Sequence, residues 1–306
     1  MIVLSLFDGI SCGQIALERA GIVVDKYLAS EIKRTAIATT QKHYPDTIQL
    51  GDVNKVWYKD GIIHSENGDY EVGKVDLLIG GSPCQNFSCA NWSNPNTAGA
   101  TGLSGDKSSL FYQYLRILKE VNPRYFLLEN VKMKNDIKKE LDSYLGVNGI
   151  MINSELVSFQ RRERYYWTNI PNVVMPHDKH ISFQDFKDCD EDRILEATPK
   201  RTPSRERMWN GGKGKIDQRT CKNITHACKI GCVSTKQDRV PNSGMIENGN
   251  WARYLTRREQ ELAQTLPVGY CDHLTYRRAG DVIGDGWTVD IIAHIFSFIP
   301  KEELHE

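Results

Sequence analysis

The stretch "VDLLIGGSPCQ", residues 75–85, decides what kind of sheet this chain can build. Its first five residues, 75–79, form a run that is apolar apart from Asp76, which is typical of strands buried in parallel sheets. Two glycines follow the run, and Pro83 then fixes the backbone just before Cys84. An inert core cysteine needs neither feature. The stretch therefore predicts a buried central strand with an exposed thiol at its carboxyl end.

Strand and helix patterns alternate on both sides of this run. Strands are predicted at 2–7, 23–31, 75–80, 124–130, 150–158 and 164–170, and helices at 13–21, 32–43, 107–121 and 136–146. Repeated βαβ units of this kind predict an α/β fold with a doubly wound, mostly parallel sheet. Residues 58–74 contain Asp60-Gly61 and Asn67-Gly68 turn pairs, so a small hairpin is predicted there.

The pattern changes at about residue 172, where Pro, Gly and basic residues replace the regular alternation. Periodicity returns at Leu255, with helices predicted at 256–264 and 288–299. These changes predict three parts: a catalytic domain at 1–171, a smaller domain at 172–254, and C-terminal elements at 255–306 that return to the first domain.

Charge is unevenly distributed along the chain. Lys plus Arg and Asp plus Glu are equal at 39 each, yet residues 193–258 contain 15 Lys or Arg against 5 Asp or Glu, a local net charge of +10. Such asymmetry favours a polyanion-binding module attached to a more acidic body, although a solvated basic surface would look the same.

Other classes of protein are disfavoured by composition. The longest apolar run is far too short for a membrane span, and the start of the chain lacks the charged region of a signal peptide. The eight cysteines form no secreted framework, which predicts a soluble protein with free thiols. Cys221, Cys228 and Cys232 with His226 lack a C-x2-C knuckle, so no metal site is predicted.

Acidic and glycine residues stand where a doubly wound sheet binds its ligand. "LFDGISCG" (6–13) is a strand, a glycine turn and a helix start, either a cofactor loop or an ordinary βα turn. Glu31 ends the second predicted strand, where such folds hold a ribose, and Asp52 with Val53 is placed to contact an adenine. Glycines 9 and 13 are predicted to let the backbone approach the ligand.

Two further motifs contain candidate site residues. "LLENV" (127–131) places Glu129 at the same sheet edge as Cys84, where a carboxyl can act on a ring nitrogen. In "SFQRRERYYW" (158–167), Gln160, Arg162 and Arg164 alternate on one predicted strand face. They either pair with carboxylates or reach a ligand such as a phosphate.

Together these motifs resemble the DNA (cytosine-5) methyltransferases, which are Rossmann-like α/β enzymes dependent on S-adenosyl-L-methionine. The resemblance lies in "FxGxxG", "PCQ", "ENV", "QxRxR" and "LTRREQELAQTLP" (255–267), in the family's order, and fails only at about 190–250. The wording of "LFDGI", "YLASE" and "GDV" is nearest to the de novo branch, while the short chain indicates a bacterial or phage enzyme. One departure is "VIGDGWTVD", with Gly284-Asp285 where the family often has Gly-Asn.

The resemblance implies a role for each site residue. Cys84 would be the nucleophile that adds to a flipped cytosine, Glu129 would act on the ring nitrogen, and residues 85–106 would be the loop that closes on DNA. Arg162 and Arg164 complete the implied catalytic set. The implied cofactor contacts are Phe7, Asp8, Gly9, Ile10, Glu31, Asp52, Val53, Pro83, Leu110, Gly286 and Trp287. The implied DNA contacts are Gln85, Ser88, Gln160, Arg205, Arg207, Lys213, Lys215 and Arg219.

The expected activity is methylation of cytosine C5 in double-stranded DNA, with residues 172–254 recognising the target. The expected setting is the cytoplasm, at the nucleoid and away from membranes, with or without a paired restriction endonuclease. Two alternatives stay open: an RNA (tRNA) cytosine methyltransferase on the same scaffold, and a catalytically silent DNA-binding homologue. The basic segment favours duplex DNA over the first, and intact Cys84 and Glu129 argue against the second.

Overall fold

The computed structural model describes residues 1–82, 109–210, 222–239 and 241–300. Numbered along the chain, the strands are β1 (Ile2–Leu6), β2 (Lys26–Ser30), β3 (Ile48–Gln49), β4 (Trp57–Lys59), β5 (Ile62–Ser65), β6 (Gly68–Glu71), β7 (Leu77–Gly81), β8 (Tyr125–Val131), β9 (Ile150–Asn153), β10 (Glu163–Thr168), β11 (Ile246–Asn248) and β12 (Trp251–Arg253).

Seven of these described strands form one mixed sheet in the order β3-β2-β1-β7-β8-β10-β9. Strands β3, β2, β1, β7 and β8 pair in parallel, and β10 pairs with β8 in the antiparallel direction. Strand β7, which contains the apolar run of residues 77–79, lies between β1 and β8, and its first four residues are fully or almost fully buried. The predicted α/β class and mostly parallel sheet are confirmed.

The described helices are α1 (Cys12–Arg19), α2 (Arg34–His43), α3 (Ser109–Val121), α4 (Asn135–Leu145), α5 (Glu191–Ala197), α6 (Pro203–Asn210), α7 (Arg257–Ala263), α8 (Tyr276–Asp285) and α9 (Val289–Phe296). Helices α1 to α4 follow β1, β2, β7 and β8, in keeping with the predicted alternation. Helix α4 ends at Gly146, whose φ of 70° is the left-handed conformation that glycine adopts without a Cβ clash. None of the helices within the described residues is long and apolar enough to cross a membrane.

Two compact units make up the chain. The first consists of Met1–Ile152, Glu163–Met175 and Ala293–Glu306, and the second of Asn153–Arg162 and Pro176–Ile292. The core of the first unit is built from the sheet and α3, and includes the fully buried side chains of Leu4, Leu78, Phe111 and Trp167. Close packing of these large apolar groups is the main stabilising contribution to the sheet.

Residues 57–71 form a separate antiparallel sheet of three strands, β4-β5-β6, inserted between β3 and β7. The predicted Asp60-Gly61 and Asn67-Gly68 pairs make its two turns, with Asp60 and both glycines at positive φ. The insert therefore contains one strand more than the predicted hairpin.

The second unit is held together by a buried polar network. Thr256 caps α7 in a capping box with Glu259, whose carboxylate also forms an ion pair with Arg253 at 2.7 Å. Arg253 and Glu259 are both almost fully buried. Loss of either partner would leave a buried charge unpaired, a change that typically costs about 3–5 kcal/mol of stability.

The compact units divide the chain differently from the predicted parts. Residues 255–292, expected to return to the first domain, cluster with residues 176–254 in the second unit. Helix α8 was not predicted because Gly280 and Gly284 interrupt its helical pattern. Its buried residues Ala279, Val282 and Ile283 show that tertiary packing outweighs that weak propensity. The target-recognition role of residues 172–254 stays a prediction.

Candidate active site

A tight glycine turn joins β1 to α1. Phe7, Gly9 and Ser11 all have positive φ, at 59°, 61° and 56°. A Cβ added to Gly9 would meet no atom within 4 Å, so this backbone faces open space, as a ligand-binding turn requires. Gly13 has a different role from the predicted one. An added Cβ would lie 2.5 Å from Ile79 Cδ1, which shows that Gly13 allows α1 to pack closely on β7.

Asp8 lies inside this turn. The Tyr27 hydroxyl donates a hydrogen bond to Asp8 Oδ1 at 2.7 Å, and the Ser11 hydroxyl donates to Oδ2. Burial raises the pKa of the Asp8 carboxyl to about 6, because removal from water disfavours the charged form. The side chain predicted to line the cofactor pocket is thus bound to internal hydroxyls and positions the turn. Ile10, the next predicted contact, is buried.

Glu31 connects the end of β2 to the glycine turn. Its Oε2 accepts the Gly9 N–H at 2.8 Å, and its Oε1 accepts the Ile32 and Lys33 N–H groups, each at 2.8 Å. A carboxylate has about four lone-pair sites, so three such bonds leave capacity for a further donor. The half-buried carboxylate is therefore held in a fixed orientation and can still accept a ribose hydroxyl, which fits a nucleoside-containing cofactor.

Asp52 and Val53 follow β3 at the same edge. Asp52 Oδ1 accepts the Asn54 N–H at 3.0 Å and begins a short 3-10 turn. The Val53 side chain is buried in the core of the first unit. Phe7 and Leu110, two more predicted cofactor contacts, are partly buried apolar residues packed on that same core. The described residues of the first unit that are predicted to contact the cofactor therefore include both fixed hydrogen-bond acceptors and apolar side chains.

The predicted catalytic edge is formed by β7, β8 and β10. Glu129 pairs in register with Gly81, three residues before Cys84, and with Tyr166 on β10. Arg164 Nε lies 2.9 Å from Glu129 Oε1, and both side chains are mostly buried. This pair brings a carboxylate and a guanidinium to the strand end that leads toward Cys84. Pro83, Cys84, Gln85 and Ser88, together with the rest of the predicted 85–106 loop, lie outside the described residues.

Asn130 is a site residue that sequence reasoning did not assign. Its Nδ2 donates to the Ser82 hydroxyl at 3.0 Å and to the Ser82 carbonyl at 3.3 Å, while its own Oδ1 accepts the Val131 N–H. The side chain is almost fully buried. Asn130 therefore holds the residue that directly precedes Pro83. The motif "ENV" placed it beside Glu129, but only the pairing of β7 with β8 reveals its partner.

Gln160 and Arg162 lie in the interior of the second unit. Gln160 is fully buried; its Nε2 donates to Gln264 Oε1 at 2.7 Å and its Oε1 accepts the Val233 N–H at 3.1 Å. Arg162 donates to the carbonyls of Val233 and Gly286 at 2.8 and 2.9 Å. Both side chains thus bind internal partners of the fold, and the DNA contact of Gln160 and the catalytic support from Arg162 stay predictions.

The C-terminal motif "VIGDGWTVD", which is predicted to contact the cofactor, lies at the end of α8 in the second unit. A Cβ added to Gly284 would come 2.3 Å from Thr235 N, so only glycine fits this contact. Asp285, which replaces the family's usual Asn, is exposed. Gly286 caps the helix and is buried, and Trp287 is half-buried.

Of the predicted DNA contacts in the basic segment, two are described. Arg205 is half-buried and donates to the carbonyls of Lys200 and Asp238, whereas Arg207 is exposed. Lys213, Lys215 and Arg219 lie outside the described residues, as does Cys221. Among the described residues, no group of three His, Cys, Asp or Glu side chains is arranged to hold a metal ion.

The sheet has five parallel strands, then the antiparallel β10 and the edge strand β9, and a glycine turn follows β1. This arrangement is a Rossmann-like α/β fold and is consistent with the class of α/β methyltransferases. A crystal structure of S. pombe Dnmt2 methyltransferase has the same fold, with a TM-score of 0.70 at 17% identity over the whole of both chains.

Residues 1–151 match the family of C-5 cytosine-specific DNA methylases. An orphan methyltransferase of Bacillus phage rho11s, M.Rho11sI, is 31% identical over 193 residues, which is 58% of this chain and 35% of the relative. A type II methyltransferase of Fusobacterium nucleatum, M.FnuDI, is 33% identical over 194 residues, 58% of this chain and 51% of the relative. The chain thus spans about a third to a half of the length of these relatives. The match to the C-5 cytosine-specific DNA methylase family covers residues 1–151, just under half of the 306-residue chain.

Proposed function

We propose that this protein transfers a methyl group from S-adenosyl-L-methionine to C5 of cytosine in double-stranded DNA. The observation that carries the proposal is the placement of Glu129, which is paired with Arg164 and in register with Gly81 at the strand end that leads to Cys84. The family match of residues 1–151 supports the same reaction. Direct methyl-transfer assays on duplex DNA and on tRNA would test it, and transfer to tRNA alone would contradict it.

The chemistry follows from the residue types at this edge. A thiolate at Cys84 adds to C6 of a cytosine flipped out of the duplex, and electron density moves to the opposite side of the ring. Glu129 holds or protonates the ring N3 as the adduct forms, which makes C5 nucleophilic. Arg164 keeps the Glu129 carboxyl in place through its 2.9 Å contact. Once C5 has gained the methyl group and the methyl–sulfur bond has broken, loss of the C5 proton and departure of Cys84 as a thiolate would restore the aromatic ring.

The cofactor would be held by the first unit's edge residues, with Glu31 accepting the ribose hydroxyls and Asp52 and Val53 beside the adenine. Phe7, Gly9 and Leu110 would line the remaining surface. When bound, S-adenosyl-L-methionine supplies an electrophilic methyl group. The fixed Glu31 carboxylate and the open backbone at Gly9 support this assignment.

A bacterial or phage-infected cell is the proposed setting, with the protein at the nucleoid where its DNA substrate lies. The similarity to a type II methyltransferase supports the proposal that a restriction endonuclease is paired with this protein. Bisulfite sequencing of DNA from cells that express the protein would reveal both the methylated base and its sequence context. Unmethylated DNA in cells containing the folded protein would favour a catalytically silent DNA-binding homologue.

Asn130→Ala is expected to slow methyl transfer by about tenfold to a hundredfold, because a small misplacement of a reacting group is costly. The substitution removes both hydrogen bonds to Ser82, which directly precedes Pro83 and Cys84. Single-turnover methyl transfer measures the rate, and calorimetry should find cofactor affinity unchanged. Asn148→Ala, at an exposed position of the same unit, is the matched control. An Asn130→Ala protein with the wild-type rate would contradict the positioning role.

Target choice is proposed to reside in the basic segment of residues 193–258. Arg207→Ala is expected to weaken binding to all DNA sequences alike and to lower the salt slope by about one unit if Arg207 contacts phosphate. If it reads a base, the change should cost about 1–3 kcal/mol and relax one position of the site. Arg205→Ala serves as the comparison, because that guanidinium binds the carbonyls of Lys200 and Asp238. The other Arg and Lys residues across 205–239 can be substituted one at a time in the same way. If every variant methylates the same DNA sequence context as the wild type, target recognition does not lie in this segment.

A further inference from the structure

The inserted β4-β5-β6 sheet contacts the segment that follows β3. At the β5–β6 turn, Glu66 Oε1 accepts the Asp52 N–H at 2.8 Å, and Asn67 Nδ2 donates to the Gln49 carbonyl at 2.9 Å. Lys55 Nζ lies 2.5 Å from Glu66 Oε2. One turn of the insert thus binds the backbone on both sides of Gly51, within the first unit.

Gly51 is shaped to accept this contact. Its φ is +79°, and an added Cβ would lie 2.3 Å from Glu66 Oε1. The carboxylate therefore lies directly against the Gly51 backbone, and a side chain at this position would have to displace it. The hydrogen bonds from Lys55 and the Asp52 N–H also lower the pKa of Glu66, so the carboxyl is charged at neutral pH.

Helix α3 holds the same segment by a separate set of contacts. Arg116 Nη2 donates to the Val56 carbonyl at 2.7 Å, and Arg116 Nη1 binds Glu120 Oε1 at 2.7 Å. Glu120 Oε2 in turn accepts the Tyr58 N–H at 3.1 Å. The backbone of residues 51–58 is thus fixed by Glu66 near its start and by the Arg116–Glu120 pair near its end.

We propose that Glu66 is a positioning residue for cofactor binding, and that the β5–β6 turn presets the backbone of Asp52 and Val53 for the adenine. The inference rests on the proposed function only in taking Asp52 and Val53 as cofactor contacts. An exposed Lys–Glu pair alone would contribute little to stability. The charge-assisted bond to the Asp52 N–H is different, because it orients the backbone of a proposed ligand-binding residue.

Calorimetric titration of the full chain with S-adenosyl-L-methionine and with S-adenosylhomocysteine, without DNA, tests the proposal. Glu66→Ala should raise both dissociation constants by about tenfold, which corresponds to one lost charge-assisted hydrogen bond. Glu66→Gln retains an acceptor for the Asp52 N–H but loses the charge, so its dissociation constants should lie between those of the wild type and of Glu66→Ala. Glu71→Ala, an exposed acid in the same insert, is the matched control. At saturating cofactor, kcat of Glu66→Ala should stay near that of the wild type, so that the change appears in KM.

Wild-type affinity in Glu66→Ala would overturn the proposal, as would equal weakening by the Gln and Ala variants. Thermal melts establish that each variant is folded. If Glu66→Ala does not fold, Asn67→Ala removes the bond to the Gln49 carbonyl and should raise the dissociation constants in the same direction, and wild-type affinity there would equally overturn the idea. A protein that binds cofactor with these shifts but methylates no DNA would sink the proposed function and leave this inference standing.

Discussion

Cys84→Ser is expected to abolish methyl transfer. A serine hydroxyl is far less acidic than a thiol and cannot supply the nucleophile that adds to cytosine C6. Tritium transfer from labelled S-adenosyl-L-methionine to duplex DNA measures the loss, which should reach the detection limit. Cys189→Ser, a free and exposed cysteine of the second unit, should retain full activity as the matched control.

A covalent adduct gives the same prediction a direct readout. With DNA that carries 5-fluorocytosine, methylated C5 has no proton to lose, so the Cys84–C6 bond should persist through denaturing electrophoresis. Wild type and Cys189→Ser should form this adduct, and Cys84→Ser should not. Near-normal turnover by Cys84→Ser would eliminate the covalent mechanism, whatever the adduct experiment showed.

Glu129→Gln is expected to slow methyl transfer by about a hundredfold or more, the range typical of a lost acid catalyst. The amide keeps the size of the side chain but can neither protonate N3 nor form an ion pair with Arg164, which lies 2.9 Å away in the wild type. Single-turnover rates at saturating DNA and cofactor measure the effect. Affinity for S-adenosyl-L-methionine should change little, because the Glu129 carboxyl is assigned to the cytosine ring and not to the cofactor.

Glu163→Gln provides the matched control for this variant. Glu163 lies on the same strand as Arg164, but it forms a more exposed pair with Lys132 at 2.9 Å, and such pairs contribute little. Its rate should therefore match the wild type. Should Glu129→Gln chiefly weaken cofactor binding while the single-turnover rate at saturation is preserved, the carboxyl would belong to the cofactor site and the catalytic assignment would fail.

The alternation of strands and helices could be predicted from sequence because local patterns encode it. The run at 75–80 reads as a buried strand, since apolar residues on both faces suit a central parallel position, and Leu77, Leu78 and Ile79 are fully buried there. Glu31, Asp52 and Glu129 could also be located, because parallel strands present their carboxyl ends at one edge of the sheet. Rules of this kind depend on chain order and need no knowledge of distant contacts.

Roles that depend on distant partners could not be predicted in the same way. Gln160, Arg162 and Arg164 alternate in sequence and looked equivalent, yet only Arg164 lies on β10 beside Glu129. Gln160 and Arg162 bind Val233, which is more than 70 residues away in sequence but belongs to the same second unit. The hydrogen bond that Asp8 accepts from Tyr27 likewise depends on the fold and could not be predicted from the local sequence.

The sequence by itself determined the α/β class, the sheet edge that carries the site and the residue types available there. Tertiary structure alone decided which of those side chains became internal supports, and that Asn130 and Glu66 form hydrogen bonds with Ser82 and with the backbone of Asp52. The physical reason is that a buried polar group must find a hydrogen-bond partner, and that partner is chosen by long-range packing that no local pattern encodes.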